Sequence, residues 1–158
     1  MKTSTMDLPT FPDNLIAGHD HLPVDLQMVE GVRSVLSLDG SEEAHRVLTP
    51  EAEHAWSRAF GVTYVQVAPD AGDLDAETID RVKRAAARLE RPLLVHSALA
   101  ERALAVAAIL SALETGRSGA DAWERACELG VDPASTDLYR RIVREVERDT
   151  TGSDRRAS

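Results

Sequence analysis

His96, Ser97 and Arg102 fall within seven residues of one another in "HSALAER", where the apolar run "PLLV" gives way to a long alanine-rich stretch. A strand that hands over to a helix leaves the first helical N–H groups pointing outward. The helix dipole favours negative charge there. Arg102, at the far end of this junction, has the planar fork that clamps two oxygens of an anion. The chemistry in view is therefore anion binding, with position 97 as the attacking group. Asp70 and Asp73, in "APDAGD", are acids of a loop whose ordinary reading is a solvated turn. His19 and His21, in "GHDH", would share one side of an extended segment. Joined by His96 and an acid such as Asp20 or Asp73, they would give a metal its nitrogens and oxygens. Two close histidines and a distant third are a weak metal signal, and polar residues at a strand end are the more economical reading.

Positioning these residues needs a regular frame. "LIAG" is a short apolar run closed by glycine, and "VRSVLSLD" alternates apolar and polar residues. "VTYVQVA" is rich in β-branched residues, and "PLLVHS" has the continuous apolar character of a strand buried on both faces. Between them lie helical patterns. "PVDLQMVEG" opens with proline and closes with glycine. "TPEAEHAWSRAFG" has Thr49 as its cap, Glu51 and Glu53 at its positive end and Gly61 as its stop. Asp75 caps "AETIDRVKRAAARLE", where Ile79, Val82, Ala86 and Leu89 share a face. A long helix follows from about Glu101 to Thr115, and "ADAWERACELG" and "STDLYRRIVREVERD" add two more. In the last, Leu138, Ile142, Val143 and Val146 form an apolar stripe that either docks on its own domain or pairs two copies.

Alternating strands and helices predict an α/β fold: three layers, with a mostly parallel central sheet of four or five strands and extra C-terminal helices. Ligands of such sheets bind beyond the carboxyl ends of the strands. "DGSEE", "PDAGDLD" and "HSALAER" would meet at that rim. The expected organisation is a loose arm over 1–14, one domain over 15–148 and a polar, disordered tail over 149–158.

Composition narrows the partners. The net charge of −9 excludes nucleic acid and anionic membrane as main partners, since both select clustered positive charge. Cys127 is the only cysteine, so an internal disulfide is impossible and a reducing cytoplasm is the expected compartment. No apolar leader opens the chain, and Ala103 to Leu113 is too short to span a bilayer. No cofactor is implied.

The ordered segments resemble a bacterial phosphatase-like domain related to dual-specificity and tyrosine phosphatases, sometimes fused to β-lactamase-like hydrolases. The resemblance runs from about Leu15 to Asp132. It rests on "IAGHD", "GVRSVLSL", "DGSEE", "AFGVTYVQVAPD" and "PLLVHSALAERA" in that order. It implies a tyrosine-phosphatase-like fold, a cysteine nucleophile at position 97, a phosphate-clamping arginine at Arg102 and a general acid at Asp70. The spacing of four residues between position 97 and Arg102 matches this family and rhodanese-like sulfurtransferases.

The departures point away from catalysis. Ser97 replaces the cysteine, and a hydroxyl stays protonated where a thiol ionises. Ala100 stands where the loop glycine is expected, and Glu101 puts negative charge inside the loop. Like charges ~4 Å apart at an effective dielectric near 20 repel by about 4 kcal/mol. "VHSAL" also lacks the glycines of a serine-hydrolase elbow. The sequence thus reads as a pseudophosphatase, monomeric or homodimeric, that binds a phosphate-like anion or a protein partner through Arg102 and Ser97. The competing reading is an active phosphoester hydrolase that uses Asp70, the histidines or a metal instead of a cysteine.

Overall fold

Four short segments build a parallel ladder: β2 (Leu15–Gly18), β3 (Ser34–Ser37), β4 (Thr63–Gln66) and β5 (Leu93–His96). A two-residue strand, β1 (Thr10–Phe11), pairs antiparallel with β2, and the sheet order is β1-β2-β5-β3-β4. The structure is a computed structural model that describes residues 8–19, 24–26, 29, 31–39, 49–69 and 74–157. The helices are α1 (Pro50–Ala59), α2 (Ala76–Ala86), α3 (Ala100–Thr115), α4 (Gly119–Glu128) and α5 (Thr136–Ala157), with residues 24–26 also helical. This is the expected α/β architecture.

The central strands are buried on both faces because their side chains alternate between two apolar layers. Leu15, Ala17, Leu36, Leu93 and Val95 join the core under α2 and α3. Ile16, Val35 and Leu94 point the other way, into a smaller cluster with Leu8, Val29 and Val62. Helix α3 is apolar nearly all round, with every residue from Arg102 to Ala112 buried. Such a helix must be covered on all sides, and it is sandwiched between β2 on one side and α4 and α5 on the other. Its alanines let these helices come close. A Cβ on Gly119 of α4 would lie 2.9 Å from the Cα of Val143 on α5, so only glycine fits that crossing.

One expectation changes. Residues 8–14 are not a loose arm: Leu8 and Phe11 are buried, and β1 adds an edge to the sheet. Apolar side chains at those two positions anchor the segment. Helix α5 continues to Ala157, through most of the segment expected as a tail. No proline interrupts "DTTGSDRRA", so the helix propagates from its packed part. Ile142 and Val146 belong to the core and Leu138 packs against it, so the apolar stripe of α5 follows the first of its two readings and docks on its own domain.

The register fixes the rim. Gly18, His96, Ser37 and Gln66 lie side by side at the carboxyl ends of β2, β5, β3 and β4. One residue further on, Ser97 N–H donates to the Gly18 carbonyl (3.1 Å) and Leu38 N–H to the His96 carbonyl (2.8 Å). The strand ends therefore deliver Ser97 and Asp39 to the same place.

Candidate anion site

Ser97 follows β5 immediately, stands three residues before α3 and is fully buried. It faces a side chain of the chain itself. Asp39, one residue beyond Leu38 after β3, turns its carboxylate into the loop. Ala98 N–H donates to both of its oxygens at 2.9 Å, and Ser97 Oγ donates to Oδ1 at 3.2 Å. Ser97 Oγ also accepts from Leu99 N–H at 3.1 Å, so the hydroxyl is committed on both sides. Arg102 reaches back from α3, with Nη1 3.8 Å from Asp39 Oδ1 and 3.4 Å from the Leu38 carbonyl. A backbone amide, the residue at position 97 and the arginine at the loop's end thus converge on one internal carboxylate. α3 has no side-chain cap at Leu99, so Asp39 also supplies negative charge at its positive end.

Asp39 is held from behind as well. Its backbone carbonyl accepts from Gln66 Nε2 at 2.6 Å, and its N–H donates to Ser37 Oγ at 3.4 Å. Its side chain is 1% exposed, so it does not swing freely in solvent.

Behind this contact lies a second polar layer centred on His96. Nε2 faces Asp25 Oδ2 at 3.3 Å, while Nδ1 faces Asp39 Oδ2 and Glu53 Oε2, each at 3.8 Å. All four side chains are buried. Glu53 also accepts from Tyr64 Oη at 3.1 Å, which ties α1 to β4. Glycine at the end of β2 makes room for Asp25: a Cβ on Gly18 would lie 2.7 Å from Asp25 Oδ2. His96 is therefore a buried cross-link between β5, the segment after β2, the end of β3 and α1. Carboxylate oxygens lie within 4 Å of both of its ring nitrogens.

Of the residues singled out in the sequence, Ser97 and Arg102 come together, with Asp39 between them. Asp70, Asp73, Asp20 and His21 lie outside the described residues. Glu101 is exposed at the start of α3, and Asp75 caps α2 by accepting from Thr78 N–H at 2.8 Å. The Thr78 hydroxyl, and secondarily that backbone bond, hold the Asp75 carboxyl below its ordinary range. Among the described residues no group of three or more His, Cys, Asp or Glu is arranged to hold a metal ion. Cys127 is half-buried on α4. No described helix is long and apolar enough to cross a membrane.

Asp39, Asp25 and Glu53 escaped the sequence reading as site residues. "DGSEE" did signal that an acid follows the second predicted strand at the rim. Nothing local marked Glu53, which looked like an ordinary first-turn acid of α1. Its inward direction follows from how α1 lies on β4.

The fold has structural relatives. A provisionally assigned phosphatase of Shewanella putrefaciens CN-32 superposes with a TM-score of 0.69 at 18% identity, over 90% of this chain and 89% of that one. The fold is that of tyrosine-phosphatase-like proteins. A mutant form of Tk-PTP gives 0.69 at 14% identity, over 96% of this chain and 99% of that one. The core catalytic domain of the PP-IP phosphatase SIW14 from S. cerevisiae, in complex with citrate, gives 0.58 at 12% identity, over 89% and 88%. No family model and no curated protein matches the sequence.

Proposed function

We propose that this chain is a pseudophosphatase: a cytoplasmic protein that keeps the phosphatase-like frame, fills its own anion loop with Asp39, and acts by binding rather than turnover. The observation carrying this reading is the Asp39 carboxylate on Ala98 N–H and Ser97 Oγ. A phosphoester approaching Ser97 would meet a buried negative charge already holding those donors. Ser97 also lacks activation. Its hydroxyl donates to a carboxylate, whose basicity lies far below that of an alkoxide, so no useful alkoxide accumulates.

The fold supports placing ligand contact at this rim, and the SIW14 domain, crystallised with citrate, sets a precedent for an anion on such a frame. The competing hydrolase reading draws little support from His96, whose buried ring is flanked by three carboxylates and shielded from bulk water.

The test is a pair of back-substitutions assayed with p-nitrophenyl phosphate. Ser97→Cys alone should remain inactive, because Asp39 still fills the loop. Ser97→Cys with Asp39→Ala should gain turnover that Arg102→Ala then abolishes. Turnover by the native protein that disappears in Ser97→Ala would overturn the proposal.

A further inference from the structure

The chain carries an excess of negative charge, yet one face beside the filled loop is positively charged. A cavity of about 820 Å³ opens between the start of α3 and the first turns of α5. Four arginines line it, Arg102, Arg140, Arg141 and Arg144, against two acids, Glu101 and Asp137. The whole chain has 27 acidic and 18 basic residues, so a lining with more arginines than acids runs against its overall balance.

The arginines are not all explained by the fold. Arg102 is turned inward to Asp39 and Leu38. Arg141 lies near Asp75 and lowers its pKa. Arg140 and Arg144 are exposed and have no ion-pair partner among the described residues. They sit four positions apart, on one side of α5. Neighbouring Arg148, by contrast, is fully engaged with Asp80 and Glu145.

The remaining lining is apolar. Leu74, Leu99 and Leu138 contribute to the walls, and Leu99 is 39% exposed at the mouth. A small inorganic anion would use the arginines and leave this apolar surface wet. A ligand with carboxylates next to aliphatic side chains satisfies both.

We infer that this groove between α3 and α5 is the binding site for an acidic, leucine-bearing peptide segment of a partner protein, with Arg140 and Arg144 as its charge-reading residues. This deepens the binding role proposed above and rests on it. Charge complementarity selects the occupant. Arginine is the residue of choice for carboxylates at interfaces, because its fork matches them bidentately and is weakly hydrated. A groove of this volume is in the range of sites that bury a compact ligand or a few residues of a peptide. With Asp39 in the loop, Arg140 and Arg144 are the arginines of this groove left to read negative charge.

The experiment uses the full chain and a fluorescent twelve-residue peptide of alternating Glu-Leu pairs, followed by anisotropy. A Lys-Leu peptide and inorganic phosphate serve as comparators. Saturable binding of the Glu-Leu peptide, weakened about tenfold or more by Arg140→Glu with Arg144→Glu and reduced by added salt, is the expected result. Both arginines are on the exposed face of α5, so the variant should keep the native melting temperature. Absence of saturable binding by the native protein, equal binding of the Lys-Leu peptide, or unchanged affinity in the double variant overturns the inference. So does phosphate competing at these arginines as well as the peptide, which would make the groove a simple anion site. Phosphatase activity is read separately. Turnover by the native protein with no peptide binding defeats both proposals. No turnover and no peptide binding defeats this one alone.

Discussion

Asp39→Asn removes one charge from the filled loop while keeping its shape. In the native protein Asp39 lies 3.8 Å from Arg102, where opposite charges at an effective dielectric near 20 attract by about 4 kcal/mol. Its oxygens also accept from Ala98 N–H and Ser97 Oγ, and bonds to a charged group contribute about 1.5–3 kcal/mol each. The amide retains one acceptor for Ala98 but turns an NH2 group toward other donors. Two effects act in the opposite direction. A buried carboxylate no longer needs desolvation, and repulsion between Asp39 and the nearby Glu53 disappears. The balance is a net loss of about 2–3 kcal/mol. For a chain of this length that lowers the melting temperature by roughly 4–12 °C. The assay is thermal unfolding followed by circular dichroism, at neutral pH and low phosphate. A melting temperature that stays the same or rises would refute the reasoning: Asp39 would then be a repelled acid in an overcharged cluster, not the loop's ligand.

Three further outcomes follow from the same structure. Arg148 hydrogen-bonds the Asp80 carboxyl at 2.8 Å and holds it below its ordinary range, so the pair's contribution is present above the unfolded carboxyl pKa near 4. It is lost as pH falls through the lowered folded value; Asp80→Asn should therefore flatten the acid limb of the stability curve by at most about 1 kcal/mol, since both groups are over a third exposed. An unchanged acid limb would count against the pair. Burial, and secondarily the charge of Asp132, pushes the Cys127 thiol up, so alkylation by iodoacetamide at pH 7 should be several-fold slower in the native state than in denaturant; equal rates would contradict this. Gly18→Ala should cost about 1–3 kcal/mol, because the new methyl drives Asp25 away from His96, and a variant as stable as the native protein in urea would show that the contact is slack.

Most of the frame was legible because it depends on local pattern. "LIAG" and "PLLVH" are continuous apolar runs, and they became β2 and β5 at the expected positions. Thr49 and Asp75 cap α1 and α2 as their residue types predict. The parallel-sheet rule brought position 97 and the loop after β3 to one rim. β1 was missed because two residues in "LPTFPD" carry no periodic signal; the burial of Leu8 and Phe11 comes from contacts distant in sequence. Asp39 illustrates the other limit. Its type and rough location could be read, but not its direction. That depends on the register placing Ser37 beside His96, which sets the end of β3 against the start of α3. Asp25 and Glu53 joined the site for the same reason, through tertiary packing around a histidine.

The central claim is that Asp39 occupies the loop in place of an anion, and titration with inorganic phosphate tests it most directly. Calorimetry on the native protein should show no saturable binding. Asp39→Ala, which frees Ala98 N–H, Ser97 Oγ and Arg102, should bind phosphate and gain stability with it, by about 2.7 kcal/mol at a hundredfold excess over Kd. Native protein that binds phosphate as tightly as the variant, or a variant that binds none, would contradict the account.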